Sequence, residues 1–303
     1  MRKPILPKDY LEPRNTYGIA GVLAVVLPVV LTIACIPYLF EGRHWGWLAL
    51  SAPILGMQAH KLTIVMHDCC HSTLFVSKRL NQLVGTIGGA LLGSSFSQYQ
   101  ASHWQHHRRC GHGGDPTEEE YLGLDGLPVR MLVWHLIKPL FGVTYLRSVA
   151  HKESLDPVRP DVPGGGISWR GHEVCMTVVL QILIALTVSR GGSFLGLVLI
   201  YPISGVTFGI FFSRLRGFCE HTPMRSVPAG ECFTRTHLTH PVEKFIFYNL
   251  NMNYHFEHHM YPLVASCYLP EVNSLLVNSG LLDDDSLSKS MISTVYRRLC
   301  AAS

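Results

Sequence analysis

WGWLALSAPILGMQAHKLTIVMHDCCH, residues 45–71, begins as a membrane-type apolar run and ends on a pair of histidines. A hydrocarbon core about 30 Å thick takes roughly 20 helical residues to cross, and residues 45–66 are long enough. His60 and Lys61 mark the inner end of the run, and HDCCH follows without a break. His67 and His71 stand four residues apart, so on a helix they project from one face. A span that runs straight into paired imidazoles predicts a membrane protein with a metal at its water-facing rim.

The rest of the chain fits that reading. Its 303 residues are 48% hydrophobic and 15% charged, with mean hydropathy +0.21; soluble domains carry roughly 25% charged residues. The net charge is only +4, and no nucleic-acid partner is expected. The nine cysteines include no CxxC pair and are read as reduced thiols.

Three further apolar runs complete an all-α architecture of four transmembrane helices in two hairpins. Residues 17–40 carry no charge and read as an uncleaved anchor. Residues 174–189 and 193–213 are joined by the tight turn Arg190-Gly191-Gly192. Arg2, Lys3, Lys8 and Arg14 precede the first span, whereas the loop after it holds only Arg43. The positive-inside rule then predicts a cytoplasmic N-terminus. With four spans, residues 67–173 and 214–303, the C-terminus included, form a cytosolic helical cap, and the chain is one multi-pass domain. Residues 80–96 are expected to dip into the interface or pack under the cap, and residues 131–149 to form one amphipathic helix along the membrane. DVPGGGIS, residues 161–168, is the linker-like segment.

The histidines carry the chemistry. Beside His67 and His71 stand His103, His106 and His107 in HWQHH, and His255, His258 and His259 in NYHFEHH. Helical spacing turns each set toward one side. Neutral imidazole suits iron, zinc, copper or nickel. Eight ligands are too many for one ion but serve two ions needing four each. There is no HExxH and no thiolate-rich set, which leaves a non-haem two-metal site built on imidazoles where soluble di-iron bundles use carboxylates. His44, His135, His151 and His172 read as interfacial or solvated. Asp68, Glu220 and Glu257 are candidates to orient the ligands and offset metal charge, with Asp115 after the second cluster as a fourth. Glu118, Glu119 and Glu120 read as a solvated run. Arg108, Arg109, Arg214 and Arg216 either hold headgroups or an acidic carrier, or anchor the span ends by snorkelling.

HDCCH, HWQHH and NYHFEHH resemble the three histidine boxes of the membrane fatty acid desaturase superfamily, which includes related hydroxylases and carotenoid ketolases. The short first box resembles the phospholipid-, sphingolipid- and carotenoid-modifying branches. The resemblance implies two iron ions held by His67, His71, His103, His106, His107, His255, His258 and His259, with His221 of RGFCEH as a further ligand. An asparagine that some relatives carry upstream of that histidine has no counterpart, since Gly217 and Phe218 occupy the region; Asn249 or Asn253 remains as a source. The implied reaction uses O2 and two electrons to desaturate the acyl chain of a fatty acid or membrane lipid. Alternatives on the same scaffold are a hydroxylase or ketolase of a lipid or carotenoid-like substrate. A non-enzymatic metal transporter is the distant third, because it needs ionisable ligands inside the spans. The sequence shows no flavin or nicotinamide fingerprint and no HPGG, so the expected electron donor is an external ferredoxin or b-type cytochrome with its reductase.

Overall fold

Apolar residues at 18, 21, 25, 29, 33 and 36 repeat every three or four positions, and these are the buried ones in helix α1, Asn15–Glu41. The opposite face of α1 leaves Ile19, Leu23, Leu27 and Leu31 more than half exposed, an oily surface suited to lipid. The computed structural model describes residues 3–124, 126–150, 169–189, 200–224, 227–228 and 230–301. Helix α1 packs along α2, Trp45–His71, which is buried almost continuously from Leu55 to His71. Among the described residues three helical segments are long and apolar enough to cross a membrane: Lys8–Glu41, Trp45–His71 and Gly171–Val188. The turn Arg190-Gly191-Gly192, residues 193–199 of the fourth expected span, the 161–168 linker and His151 lie outside the described residues.

Two short helices follow α2. Helix α3, Lys78–Leu92, starts on Ser77, whose hydroxyl accepts from Leu80 N, and stops at Gly93 in the left-handed conformation (φ 68). Fifteen residues rise about 22 Å, shorter than the membrane core. Ser95 then caps α4, Phe96–Arg109, which carries the HWQHH motif. Gly85 and Gly89 let α3 fold back against the start of α4: a Cβ on Gly85 would overlap the Phe96 ring.

The expected single helix over 131–149 is instead broken in two, α5 (Val129–Ile137) and α6 (Val143–Ala150). Pro139 sits in a tight turn between them and Gly142 adopts φ 69, a conformation that favours glycine. Helix α7, Gly171–Val188, buries little of its length; its inward Glu173 accepts from Ser95 Oγ, Ser97 N and Ser97 Oγ at 2.8–2.9 Å and so ties α7 to the start of α4. Residues 200–204 are helical, widen into a π-turn at Gly205–Gly209, and continue as α8, Ile210–His221. Gly56 on α2 makes room for Phe208 in that π-turn.

Short helices close the remaining side: α9 (Pro241–Phe247), α10 (His255–Met260), α11 (Leu269–Asn278) and α12 (Met291–Ala301). The departure from an all-helical fold among the described residues is a parallel pair of two-residue strands, β1 (Thr236–His237) and β2 (Leu287–Ser288). Cysteine chemistry also departs from expectation. Cys110, the residue ending α4, is bonded to Cys232 with Cα atoms 4.9 Å apart, so these two are a disulfide and not reduced thiols. Their separation of 122 residues gives no local signal of the pairing. The other seven cysteines are free.

The α3–α4 fold-back can be tested by Gly85→Val, whose side chain collides with Phe96. Overpacking of this kind costs about 1–3 kcal/mol, so the thermal midpoint of the detergent-solubilised protein is expected to fall. An unchanged midpoint would contradict the packing.

Candidate metal centre

Helical arithmetic sorts the histidines into two groups. His67 and His71 leave the end of α2 together, while α4 sends His103 and His107 one way and His106 the other. Helix α10 divides similarly: His258 joins the first direction, His255 and His259 the second. The result is one group of five, His67, His71, His103, His107 and His258, and one of four, His106, His221, His255 and His259. Within each group the candidate ligand atoms all lie within 4.8 Å of one another. All nine histidines expected from the sequence are therefore brought together, His221 included.

The contacts inside each group are nitrogen to nitrogen. His71 and His103 face each other through Nε2 at 2.7 Å, and His107 Nε2 lies 3.0 Å from both His103 Nε2 and His258 Nε2. In the second group His221 and His255 Nε2 are 2.9 Å apart, and His106 and His259 Nε2 are 3.3 Å apart. His67 Nε2 is buried with no hydrogen-bond partner. Ligands about 2.1 Å from a metal in adjacent octahedral positions are separated by about 3 Å. The observed spacing fits imidazoles gathered around a cation.

The outer nitrogens explain the orientation. His106 Nδ1 donates to Asp115 at 2.9 Å, His67 Nδ1 to Asp68 at 3.1 Å, and His221 Nδ1 to the Phe233 carbonyl at 3.0 Å. A ring that donates through Nδ1 keeps its Nε2 lone pair free to point inward. Asp115 is itself fixed by Tyr121 OH and by Thr117 N at 2.9 Å. Burial works to raise its pKa, but the hydrogen bonds from His106 and Tyr121 outweigh it and hold Asp115 at about 2. Burial, helped by neighbouring imidazoles, lowers the pKa of His107 to about 2 and places His103, His255, His258 and His259 well below the ordinary value. These rings are neutral, as a ligand must be.

Other candidates land elsewhere. Glu220 Oε2 approaches His255 Nδ1 at 3.6 Å while its Oε1 accepts from Arg216 Nε at 2.8 Å. Glu257 turns away from the imidazoles: its carboxylate accepts from Thr236 Oγ1 and, at 2.6 Å, from Asn273 Nδ2, locking α10 to β1 and α11. Asn253 donates to the His237 carbonyl and Asn249 to the Gly21 carbonyl. Arg214 is buried and binds the Glu119 carbonyl and His135, and Arg216 is partly buried and paired with Glu220. The disulfide sulfurs sit behind the second group, 3.8 Å from His221 Nδ1 and from His259 Nδ1. Bonded to each other, they are not thiolate ligands.

Two cavities adjoin the imidazoles, lined by the part of α2 that precedes His67 and by residues before and around His221. A cavity of about 230 Å³ faces the imidazoles, lined by His67, His106, His221, Tyr99, Arg216 and Glu120 among others. A second, of about 530 Å³, runs between α2 and the π-turn past Leu92, Tyr201 and Val206. They share His60, Thr63, Glu120 and Ser213. His60 is not a spare ligand, since its Nε2 donates to the Phe247 carbonyl and its Nδ1 accepts from Ser213 Oγ, both at 2.9 Å.

A family model for fatty acid desaturase matches residues 43–281, which hold every one of the nine histidines. The chain belongs to the fatty acid desaturase family. By that membership it is an oxidoreductase of the lipid-desaturase type. Among its relatives, the rat sphingolipid delta(4)-desaturase/C4-monooxygenase DES2 is 26% identical over 84% of this chain and 72% of its own. The Xenopus tropicalis sphingolipid delta(4)-desaturase DES1 is 25% identical over 83% and 72%. An omega-3 fatty acid desaturase of the endoplasmic reticulum from Vigna radiata is 27% identical over 68% and 55%.

The two carboxylates separate cleanly in a test. Asp115→Asn is expected to weaken metal retention about 10–100-fold, the usual cost of losing such a partner, read by competition with a chelator. Glu257→Gln is expected to lower the unfolding temperature and leave metal retention unchanged.

Proposed function

We propose that the protein is a multi-pass membrane di-iron enzyme that uses O2 and two electrons to desaturate the acyl chain of a membrane lipid. The observation that carries this reading is the junction of two imidazole groups with an apolar cavity at the inner end of a membrane-type helix. Its iron ions would be held by His67, His71, His103, His107 and His258 on one side and by His106, His221, His255 and His259 on the other. Bound there, they would supply the activation of O2 needed to remove hydrogen from an unactivated C–H bond.

The protein's own residues do the rest. Asp68, Asp115 and Glu220 offset cationic charge in a dry site, and the imidazoles set position without taking part in acid–base steps. Leu92, Tyr201, Val206 and the π-turn guide a hydrocarbon chain, and the shared neck at Thr63 and Ser213 presents one stretch of it to the imidazoles. The four-span topology, with both termini and the centre on the cytoplasmic side, agrees with the basic N-terminus. Electrons come from a separate ferredoxin or b-type cytochrome with its reductase.

Hydroxylation is the second reading, favoured because relatives named as both desaturase and C4-monooxygenase share this scaffold. Those names also make a sphingolipid the first substrate to offer. Expression in a host supplied with such a lipid and a donor system, compared by mass spectrometry with His258→Ala, decides between them. A product lighter by two hydrogens and absent from the variant is expected. A gain of oxygen would make the protein a hydroxylase, and wild-type protein without bound iron would remove the basis of both.

A further inference from the structure

The two imidazole groups are unequal. Five rings converge on one side and four on the other, so the four-ring side lacks one protein donor that its neighbour has. We propose that Glu120 serves that side, its carboxylate accepting a hydrogen bond from a water bound to the ion held by His106, His221, His255 and His259. The inference rests on reading the two groups as a di-iron centre, and it assigns a role to a residue that the sequence places in an ordinary acidic run.

Three observations converge. First, the run Glu118-Glu119-Glu120 is split by the fold. Glu118 accepts from Gly114 N at 2.5 Å, and the Glu119 side chain is 76% exposed beside Arg214. Glu120 turns inward and lines both cavities.

Second, the fold leaves a space for it. Gly217 lies one helical turn before His221 on α8, on the same face. A Cβ on Gly217 would overlap Glu120 Oε2, so the carboxylate lies against a bare Cα that no other residue type offers.

Third, the other carboxylates around the centre are engaged: Asp68 with His67, Asp115 with His106, Thr117 and Tyr121, and Glu220 with Arg216. The Glu120 carboxylate has no hydrogen bond or ion pair among the described residues, although it faces the cavity lined by His106, His221 and His255 of the four-ring group and by His67 and His103 of the other, and it lies against Gly217, one turn from His221. It falls outside the set of ligand atoms lying within 4.8 Å of one another. That extra reach is the reason for assigning it to a metal-bound water. An anion here also offsets charge on the side that has fewer donors.

The test uses full-length protein in detergent, loaded with ferrous iron. Glu120→Gln removes the charge and Gly217→Ala pushes the carboxylate aside from the other direction. Both are expected to lose one of the two ions first in a chelator titration, with retention at that position down about 10–100-fold, the usual cost of losing a supporting carboxylate. The Mössbauer spectrum should change for one ferrous site and not the other. Glu119→Gln, altering the exposed neighbour, should behave as wild type. Circular dichroism checks that each variant is folded, and Glu120→Gln stands as the deciding variant if Gly217→Ala does not fold. Wild-type retention and an unchanged spectrum in Glu120→Gln overturn the inference. An intact iron signature with a raised KM for lipid would overturn it in favour of a substrate contact. Wild-type protein that binds fewer than two ions overturns the di-iron reading and this inference with it.

Discussion

Imidazole nitrogens that face one another at about the spacing of adjacent metal ligands are the constraint on which the rest of this structure depends. Buried polar atoms left without partners cost about 1–3 kcal/mol each, and two inward lone pairs cannot satisfy each other. A cation resolves the conflict for a whole group at once. The protein therefore has to hold the rings in place before the ion arrives, and much of the chain around the imidazoles serves that purpose. Asp115 fixes His106, the Phe233 carbonyl fixes His221, and Asp68 fixes His67. Each anchor comes from a different part of the chain, so ligand geometry is a property of the assembled fold.

The division of labour follows from helix geometry. A run of x-x-His-His after a first histidine gives neighbours at three and four residues, which diverge around the helix axis. One short motif can then feed two metal positions, as α4 does with His103 and His107 against His106. Helix α10 does the same in six residues, too few to be stable alone. Glu257 compensates by tying it to β1 and α11. A carboxylate inside a histidine motif thus supports the site by holding its helix rather than its ligands.

What the sequence discloses and what it hides divide along the same line. The eight clustered histidines were legible because their spacing is local, His221 only through the family resemblance, and three long apolar helices were legible because composition alone marks them. The break at Pro139 and Gly142 was visible as residues but was outweighed by the apolar pattern on either side. Glu257 turns to Thr236 and Asn273 and not to the imidazoles beside it, because adjacency in sequence says nothing about which way a side chain turns once its helix packs. The Cys110–Cys232 bond and the Glu120–Gly217 contact join positions about a hundred residues apart, and no local pattern announces them. A glycine one turn from a ligand histidine was the one available hint, since it removes a side chain where a site would use one.

Helix α2 links the two cavities to the imidazole groups. Its middle presents Gly56 and Ala59 to the π-turn, its next turns present His60 and Thr63 to the neck, and its last turn presents His67 and His71 to the centre. A π-turn opposite adds a residue to the wall and widens the helix where the larger cavity runs. His60, bonded on both nitrogens, is rigid at the point where the two cavities meet. A hydrocarbon chain has no polar group to anchor it, so only walls can decide which carbon stops beside the imidazoles. Placing neck and ligands on one continuous helix fixes the distance between them, about 1.5 Å of rise per residue from Thr63 to His67. On the proposed function, the position of attack would be set by how far the chain is threaded along α2, independently of the substrate's headgroup.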